Sequence, residues 1–440
     1  MALVLTICFL GFFVPAPSLA LSSNNNDFLR CLSANIPSQL VLTPSSPSFT
    51  PLLVSSIRNA RLVAPATASP PLCIVTPTNT SHVQTAVRCG RRHSVRVRVR
   101  SGGHDNEGLS YRSTTPNGQA FAVIDLAKLH AVHVNPHEAT AWVETGATVG
   151  QLYYRIAKAA PGLGFPASVC PTVGVGGIIS GGGIGLMMRK YGLSADNVLD
   201  ASMVDANGNL LANKKAMGDD LFWAIRGGGG GNFGIVLSWK LRLVAVPPKV
   251  TFFKVAKTME QGAVDTNRST TLGPFVKNKS DYVKKALTKE TWKKIFLWPN
   301  GAASGQLILE PHGGIMGRIG AVKIPFPHRS NVLYNIQYVE LWNGKEVGGN
   351  ATPNWIGSLY NFMTPYVSKN PRGAYVNYRD LDIGTNQVVD GMTSYGSAKV
   401  WGESYFGPEN FRRLAEIKRK VDAGDYFQSE QSVPPFPLKE

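Results

Sequence analysis

Acidic residues are scarce in this chain: 28 Asp and Glu stand against 45 Lys and Arg over 440 residues, a formal net charge of +17. Cysteine is scarce too, with five in all, too few for a disulfide-stapled scaffold in place of a core. Beyond the N-terminus no stretch reaches about 18 consecutive apolar residues, which excludes a spanning helix of the usual kind. Internal repeats and low-complexity tracts are absent, so the chain is no solenoid or array. What is present is glycine and proline, 45 and 29 of them, with 43% hydrophobic residues: a loop-rich globular protein long enough for two or more domains.

Residues 1–20 carry the apolar run "LVLTICFLGFFV" followed by a small-residue site at "SLA". This resembles a secretory signal peptide, although the usual positive start is missing. Once Cys8 leaves with it, Cys31, Cys73, Cys89 and Cys170 remain, and three pairings are open. Sequons at Asn79, Asn267, Asn278 and Asn350 agree with a secretory route. The expected location is extracellular or in the cell wall, with the vacuole as an alternative destination. Export argues against a nucleic-acid partner; the basic charge points instead to adsorption on acidic cell-wall polysaccharide. A monomer without metal is expected.

From Pro71 to Val246 short β-rich runs alternate with Gly-rich turns, one α+β unit. "SHVQTAVRCGRRH" predicts a helix with Val83, Ala86 and Val87 on one face. "VRVRV" predicts a strand with valines on one side and arginines on the other. "FAVIDLAKL" reads as a strand, "TAWVETGATVGQLYYRIAKAA" as strand then helix, and "DDLFWAIRGGGGGNFGIVLSWKLRLV" as helix, loop and long strand. After "PP" at 247 and 248 a helix is expected in "SDYVKKALTKETWKKIFLW", then strands in "GQLILEPHGG" and "VLYNIQYVELW". A last helix, "PENFRRLAEIKRKV", puts Phe411, Leu414, Ile417 and Val421 on one stripe behind an initial proline.

Two segments carry the chemistry. "RVRVRSGGHD" ends a strand at two glycines and presents His104 at the loop tip. Glycine lets backbone N–H groups approach an anion, though a plain tight turn reads equally well from those residues alone. "FPASVCPTVGVGGIISGGGIGLMMRKYGL" sets Cys170 among glycines. It matches neither the strand-borne GxGxxG fingerprint nor the GxxxxGK[ST] phosphate loop, so nicotinamide and nucleoside-triphosphate sites are not supported. An elongated glycine loop can still wrap a dinucleotide through its backbone.

Taken with "GDDLFWAIRGGGGGNFGIV", "IPFPHR", "YVNYRDLDIG" and "EQSVPP", these motifs resemble the plant berberine bridge enzyme-like family over most of the chain from about residue 28. The resemblance implies a secreted FAD-linked oxidase: an α+β protein with a two-part, PCMH-type FAD-binding domain of the vanillyl-alcohol oxidase fold and an antiparallel-sheet substrate domain. The corresponding boundaries are 21–246 for the FAD domain, 247–374 for a shortened substrate domain and 375–440 for a C-terminal segment returning to the FAD domain. It implies a flavin bonded through its 8α methyl to His104 and through carbon six to Cys170. Ser101, Gly102, Gly103, Gly174, Gly176 and Gly177 would line pyrophosphate and ring, and Gly234 and Ile235 the adenosine side. Cys31 and Cys89 would form the family's disulfide, leaving Cys73 as a buried hydrophobe. Val173 falls at the position that gates oxygen, so O2 is the expected acceptor. Tyr378 is the candidate base and Gln337 an orienting group, acting on an alcohol, saccharide, monolignol or alkaloid-like substrate. A tyrosine base needs its pKa of about 10 lowered.

Departures from the family pattern gather on the substrate side. Ile178 stands where many relatives carry His, Ile184 where they carry Tyr, Asn335 where some carry Lys, and Asn106 where Tyr or Ala is frequent. Between about Val255 and Gly305 much of the family's central sheet is missing, which would leave sheet edges unpaired. Two alternatives therefore stand beside the oxidase: a flavin-binding paralogue without turnover, and a non-enzymatic basic wall protein.

Overall fold

The structure, a computed structural model, describes residues 23–55, 57–63, 70–113, 120–249, 275–298, 304–342 and 355–437. The leader at 1–20 and the sequons at Asn267 and Asn350 lie outside the described residues. Among the described residues no helix is long and apolar enough to cross a membrane.

The first sheet uses β1 (Val41–Leu42), β2 (Ile74–Val75), β3 (Arg96–Arg100) and β4 (Phe121–Asp125) in the order β1-β2-β4-β3, with β2 and β3 both parallel to β4. Parallel strands need a crossover, and the helix Thr80–Arg92 supplies it between β2 and β3. Asn79 caps that helix by accepting from the His82 N–H, and Val83, Ala86 and Val87 are fully buried as the periodicity predicts. A disulfide between Cys31 and Cys89 ties the helix Ser23–Ser33 to it. Cys73 is free and buried, and burial pushes its thiol up to about 12, so it packs as an inert hydrophobe.

The second sheet takes β5 (Val132–Asn135) and β6 (Thr140–Glu144) and, past β7 (Leu163–Gly164), β8 (Val198–Val204), β9 (Leu210–Leu211) and β10 (Ile235–Arg242). Its order is β5-β6-β10-β8-β9, antiparallel throughout. The helix Val149–Ala159 follows β6 through a Thr148–Gln151 capping box. Next, β11 (Val244–Ala245) pairs with β7 and closes this part of the chain.

A third antiparallel sheet, β12 (Phe275–Val283), β13 (Ser304–Pro311) and β14 (Tyr334–Trp342), has the order β12-β14-β13 and packs on the helix Trp355–Met363. Here the sequence reading is corrected: Ser280–Val283 end β12, and only Lys289–Phe296 is helical, capped by Thr288. The polar run misleads because Lys277, Asn278, Lys279, Ser280 and Asp281 are all buried. The C-terminal helical stretch Tyr395–Val421 breaks at Gly407 (φ 71°, ψ 160°), and Pro408 then opens the helix that carries the Phe411, Leu414 and Ile417 stripe into the core.

Ion pairs join these parts. On the arginine side of β3, Arg98 pairs with Glu430 at 3.0 Å, Arg96 donates to the Asp425 carbonyl, and fully buried Arg100 grips Asp125. That side therefore faces the C-terminal segment rather than solvent. Lys277 of β12 reaches Glu107 at 2.7 Å and Asp380 at 2.8 Å, and Lys279 reaches Asp380 at 2.9 Å and Asp382 at 2.6 Å. Burial alone would pull the Lys277 ammonium down, but Glu107, Asp380 and Asp382 outweigh it and hold the pKa above its ordinary value. Replacing Lys277 with methionine removes the cation that Glu107 and Asp380 share, leaving Arg61 on Glu107 and Lys279 on Asp380. The expected loss is about 1.5–3 kcal/mol, read as a lower urea midpoint.

Candidate active site

The loop after β3 is pulled inward at its start, where Ser101 Oγ donates to the Thr145 carbonyl at 2.6 Å. Gly102 then meets Gly174 backbone to backbone: a Cβ on Gly102 would lie 2.2 Å from the Gly174 nitrogen. Gly103 turns with φ 68°, and His104 follows. On the opposing loop, Val149 N–H donates to the Val173 carbonyl and Val175 N–H to the Ala147 carbonyl, which fixes the chain on either side of Gly174.

This closure brings the imidazole and the thiol to one place. His104 Nε2 lies 2.9 Å from Thr172 Oγ1, and the same hydroxyl lies 3.5 Å from Cys170 Sγ. Burial, assisted by the Arg58 guanidinium, lowers the His104 pKa to about 4, so the ring is neutral at neutral pH. Cys170 is half-buried beside it.

A cavity of about 790 Å³ runs past both groups, and every expected cofactor and substrate-side residue borders it, from Gly234 and Ile235 at the start of β10 to Gln337 and Tyr378. A side chain on Gly177 or Gly231 would meet nothing within 4 Å, so glycine there leaves room along the wall. Bare backbone along the cavity, with an imidazole and a thiol at one place, suits a flavin dinucleotide.

The substrate side differs from expectation. Tyr378 donates to Glu310 Oε1 at 2.9 Å, and burial together with the Glu310 charge holds its hydroxyl well above the ordinary tyrosine pKa. A carboxylate, not the cation that would lower a tyrosine pKa, stands against Tyr378. Gln337 lies with its Nε2 3.4 Å from Asn278 Oδ1. Asn278 is 3% exposed and forms part of the cavity wall, so its sequon has no room for a glycan in the fold. Asn79 is exposed; its Oδ1 caps the helix and its Nδ2 lies 3.4 Å from His82 Nε2. Ile178 and Ile184 are buried apolar wall residues, and Asn335 is fully buried, donating to the Asp281 carbonyl.

Glu310, in the cavity wall against Tyr378, is a residue that the sequence reading passed over. One carboxylate at the end of the apolar run "LILE" was the available signal, since a charge in such a strand needs a buried partner.

The fold and cavity define an FAD-binding oxidoreductase. A family model for an FAD binding domain matches residues 71–212, and one described as berberine and berberine like matches residues 374–434. The chain is 46% identical to berberine bridge enzyme-like Cyn d 4 of Cynodon dactylon, with 93% of each chain covered. It is 39% identical to tetrahydroberberine oxidase of Berberis wilsoniae, with 98% of each covered. The crystal structure of Phl p 4, a grass pollen allergen with glucose dehydrogenase activity, superposes with a TM-score of 0.87 at 44% identity, covering 93% of this chain and 100% of that one. An isoleucine-to-valine variant of Phl p 4, called a glucose oxidase, also superposes with a TM-score of 0.87 at 43% identity, covering 94% of this chain and 100% of that one. The chain belongs to the berberine bridge enzyme-like family. The span matched with Cyn d 4 is 492 residues, longer than the 440 of this chain, so that relative has residues without a counterpart here.

The Gly102–Gly174 approach gives a direct test. Gly102→Ala should force the two loops apart, lowering stability by about 1–3 kcal/mol and the flavin content of purified protein. Thermal unfolding and the flavin-to-protein absorbance ratio read both effects.

Proposed function

We propose that the protein is a secreted flavoprotein oxidase whose FAD is bonded to both His104 and Cys170, and which oxidises an alcohol carbon of a saccharide, monolignol or alkaloid-like substrate with O2 as acceptor. The observation that carries this reading is the Thr172 hydroxyl in contact with both side chains, an imidazole and a thiol from separate loops at one place in the cavity. When bound, the flavin supplies the two-electron oxidation. The chain's own residues do the rest: Gly102, Gly174 and Gly177 give backbone-close walls, neutral His104 offers a lone pair, and Gln337 orients substrate. Two bonds on the benzenoid edge fix the ring and withdraw electron density from it, which makes it a stronger oxidant.

O2 as acceptor rests on Val173. Phl p 4 is a glucose dehydrogenase in its wild-type form, its valine variant a glucose oxidase, and this chain carries valine at the position assigned to oxygen gating. The leader at 1–20, the sequon at Asn79 and the net charge of +17 support export and adsorption to acidic wall polysaccharide as a monomer. A second reading, flavin bound without turnover, is favoured by the residues of the relatives that have no counterpart here. Peroxide release on a panel of alcohols and sugars separates the two.

Acid precipitation tests the two links. His104→Ala should keep flavin on the pellet through sulfur alone, Cys170→Ala through imidazole alone, and the double variant should release all of it. Complete release from either single variant overturns the double attachment.

A further inference from the structure

Thr172 touches both proposed attachment residues, yet the proposed function gives its hydroxyl no task. Its place is set by the backbone around it. The Val173 N–H donates to the Cys170 carbonyl at 3.4 Å, closing a turn over Pro171 and Thr172. The Gly150 N–H donates to the Pro171 carbonyl at 2.9 Å, and Thr148 bridges to Gly174 just beyond. Pinned before and after, the turn leaves the Thr172 side chain exposed between two cavity-lining groups. Its Oγ1 lies 2.9 Å from His104 Nε2 and 3.5 Å from Cys170 Sγ.

A hydroxyl holds one proton and two lone pairs, so it gives to one neighbour and receives from the other. Two orders are open. If sulfur gives to the oxygen and the oxygen to Nε2, the thiol keeps its proton and the neutral ring carries its own on Nδ1. Neither group is then a nucleophile. If Nε2–H gives to the oxygen and the oxygen to sulfur, Nδ1 has its lone pair free. Sulfur then accepts as a thiolate, which is the reactive form. The backbone of Thr172 selects the second order. Its carbonyl also acts on the imidazole as a hydrogen-bond acceptor. A carbonyl has no proton to give, so the ring turns an N–H toward Thr172. The ring is neutral and has a single proton to place, and placing it on Nε2 empties Nδ1.

We propose that the Thr172 hydroxyl prepares both flavin links together, accepting from His104 Nε2–H and donating to Cys170 Sγ, so that Nδ1 and the thiolate are the attacking atoms. This rests on the proposed function and deepens its double attachment. At the imidazole, the Nδ1 lone pair forms the bond to the methyl carbon. A methyl C–H breaks, its hydrogen leaves as a proton, and its electron pair stays in the flavin. The Nε2 proton is then released, which keeps the alkylated ring neutral. At the sulfur, the thiol proton has gone to solvent and a sulfur lone pair forms the bond to carbon six. The C–H there breaks, its hydrogen leaves as a proton, and its electron pair stays in the flavin. Each link therefore leaves two electrons behind. O2, the acceptor of the proposed function, takes them with two protons and becomes hydrogen peroxide, one molecule per link. Thr172 forms no bond itself and is a positioning residue.

The full-length chain tests this through Thr172→Val, which keeps the shape and removes the hydroxyl, and Thr172→Ser, which keeps the hydroxyl. Protein is harvested at successive times after induction and acid-precipitated, and peptide masses report flavin on His104 and on Cys170 separately. Thr172→Val should slow each link by about 10-fold or more, the worth of a hydrogen bond to a charged group. Thr172→Ser should attach flavin close to the wild-type rate, and both variants should unfold at the wild-type temperature. Thr172→Ala repeats the test should valine crowd the turn. Combined with His104→Ala, Thr172→Val should slow the remaining sulfur link; combined with Cys170→Ala, it should slow the remaining imidazole link. Wild-type attachment in Thr172→Val, equal slowing in the valine and serine variants, or slowing of one link alone overturns the shared role and leaves the proposed function standing. Wild-type chains that never carry both links overturn the double attachment of the proposed function, and the shared role with it.

Discussion

The site depends on one close approach, Gly102 against Gly174. Neither residue has a side chain, and that alone lets a loop from the parallel sheet press on a loop from the antiparallel one. His104 lies two residues past the first glycine and Cys170 four residues before the second, so the contact sets the distance between the two groups. The hydroxyl of Thr172 occupies the space between them. Carbonyl and amide bonds of Ala147, Val149, Val173 and Val175 then hold the pressed geometry, and a close-packed interior leaves little slack for it to relax.

Polarity on the two sides of the cavity is arranged differently. Around His104 and Cys170 it is backbone and hydroxyl, with a neutral imidazole. On the substrate side it is a buried carboxylate and phenols, with Ile178 and Ile184 apolar between the two regions. Burial of that carboxylate raises its proton affinity.

How much of this was legible in the sequence follows from the range of each interaction. His104, Cys170 and their glycines sit in local motifs, and the family resemblance that those motifs carry brought the two side chains together without coordinates. The Cys31–Cys89 pairing came from resemblance, since spacing alone left three pairings open. The Tyr378–Glu310 bond joins residues 68 apart, and nothing in "LILEPHGG" names its partner. The buried polar run of β12 failed in the opposite way: Lys277 and Lys279 look solvated until Asp380, a hundred residues away, supplies the counter-charge. The Asn278 sequon was misread for the same reason, its burial being decided by tertiary packing.

The Glu107–Lys277 bridge has a consequence for how the chain tolerates being short. Glu107 is three residues beyond His104, so the histidine loop is bolted to the first strand of the substrate-side sheet, and through Asp380 to the C-terminal segment. These anchors are ionic and enclosed, hence little affected by salt, and they leave the sheet from one edge strand, β12, in the order β12-β14-β13. The edge at β12 is therefore held in register with the histidine loop whatever is lost beyond the opposite edge, as a shelf bracketed along one side stays level when its free edge is trimmed.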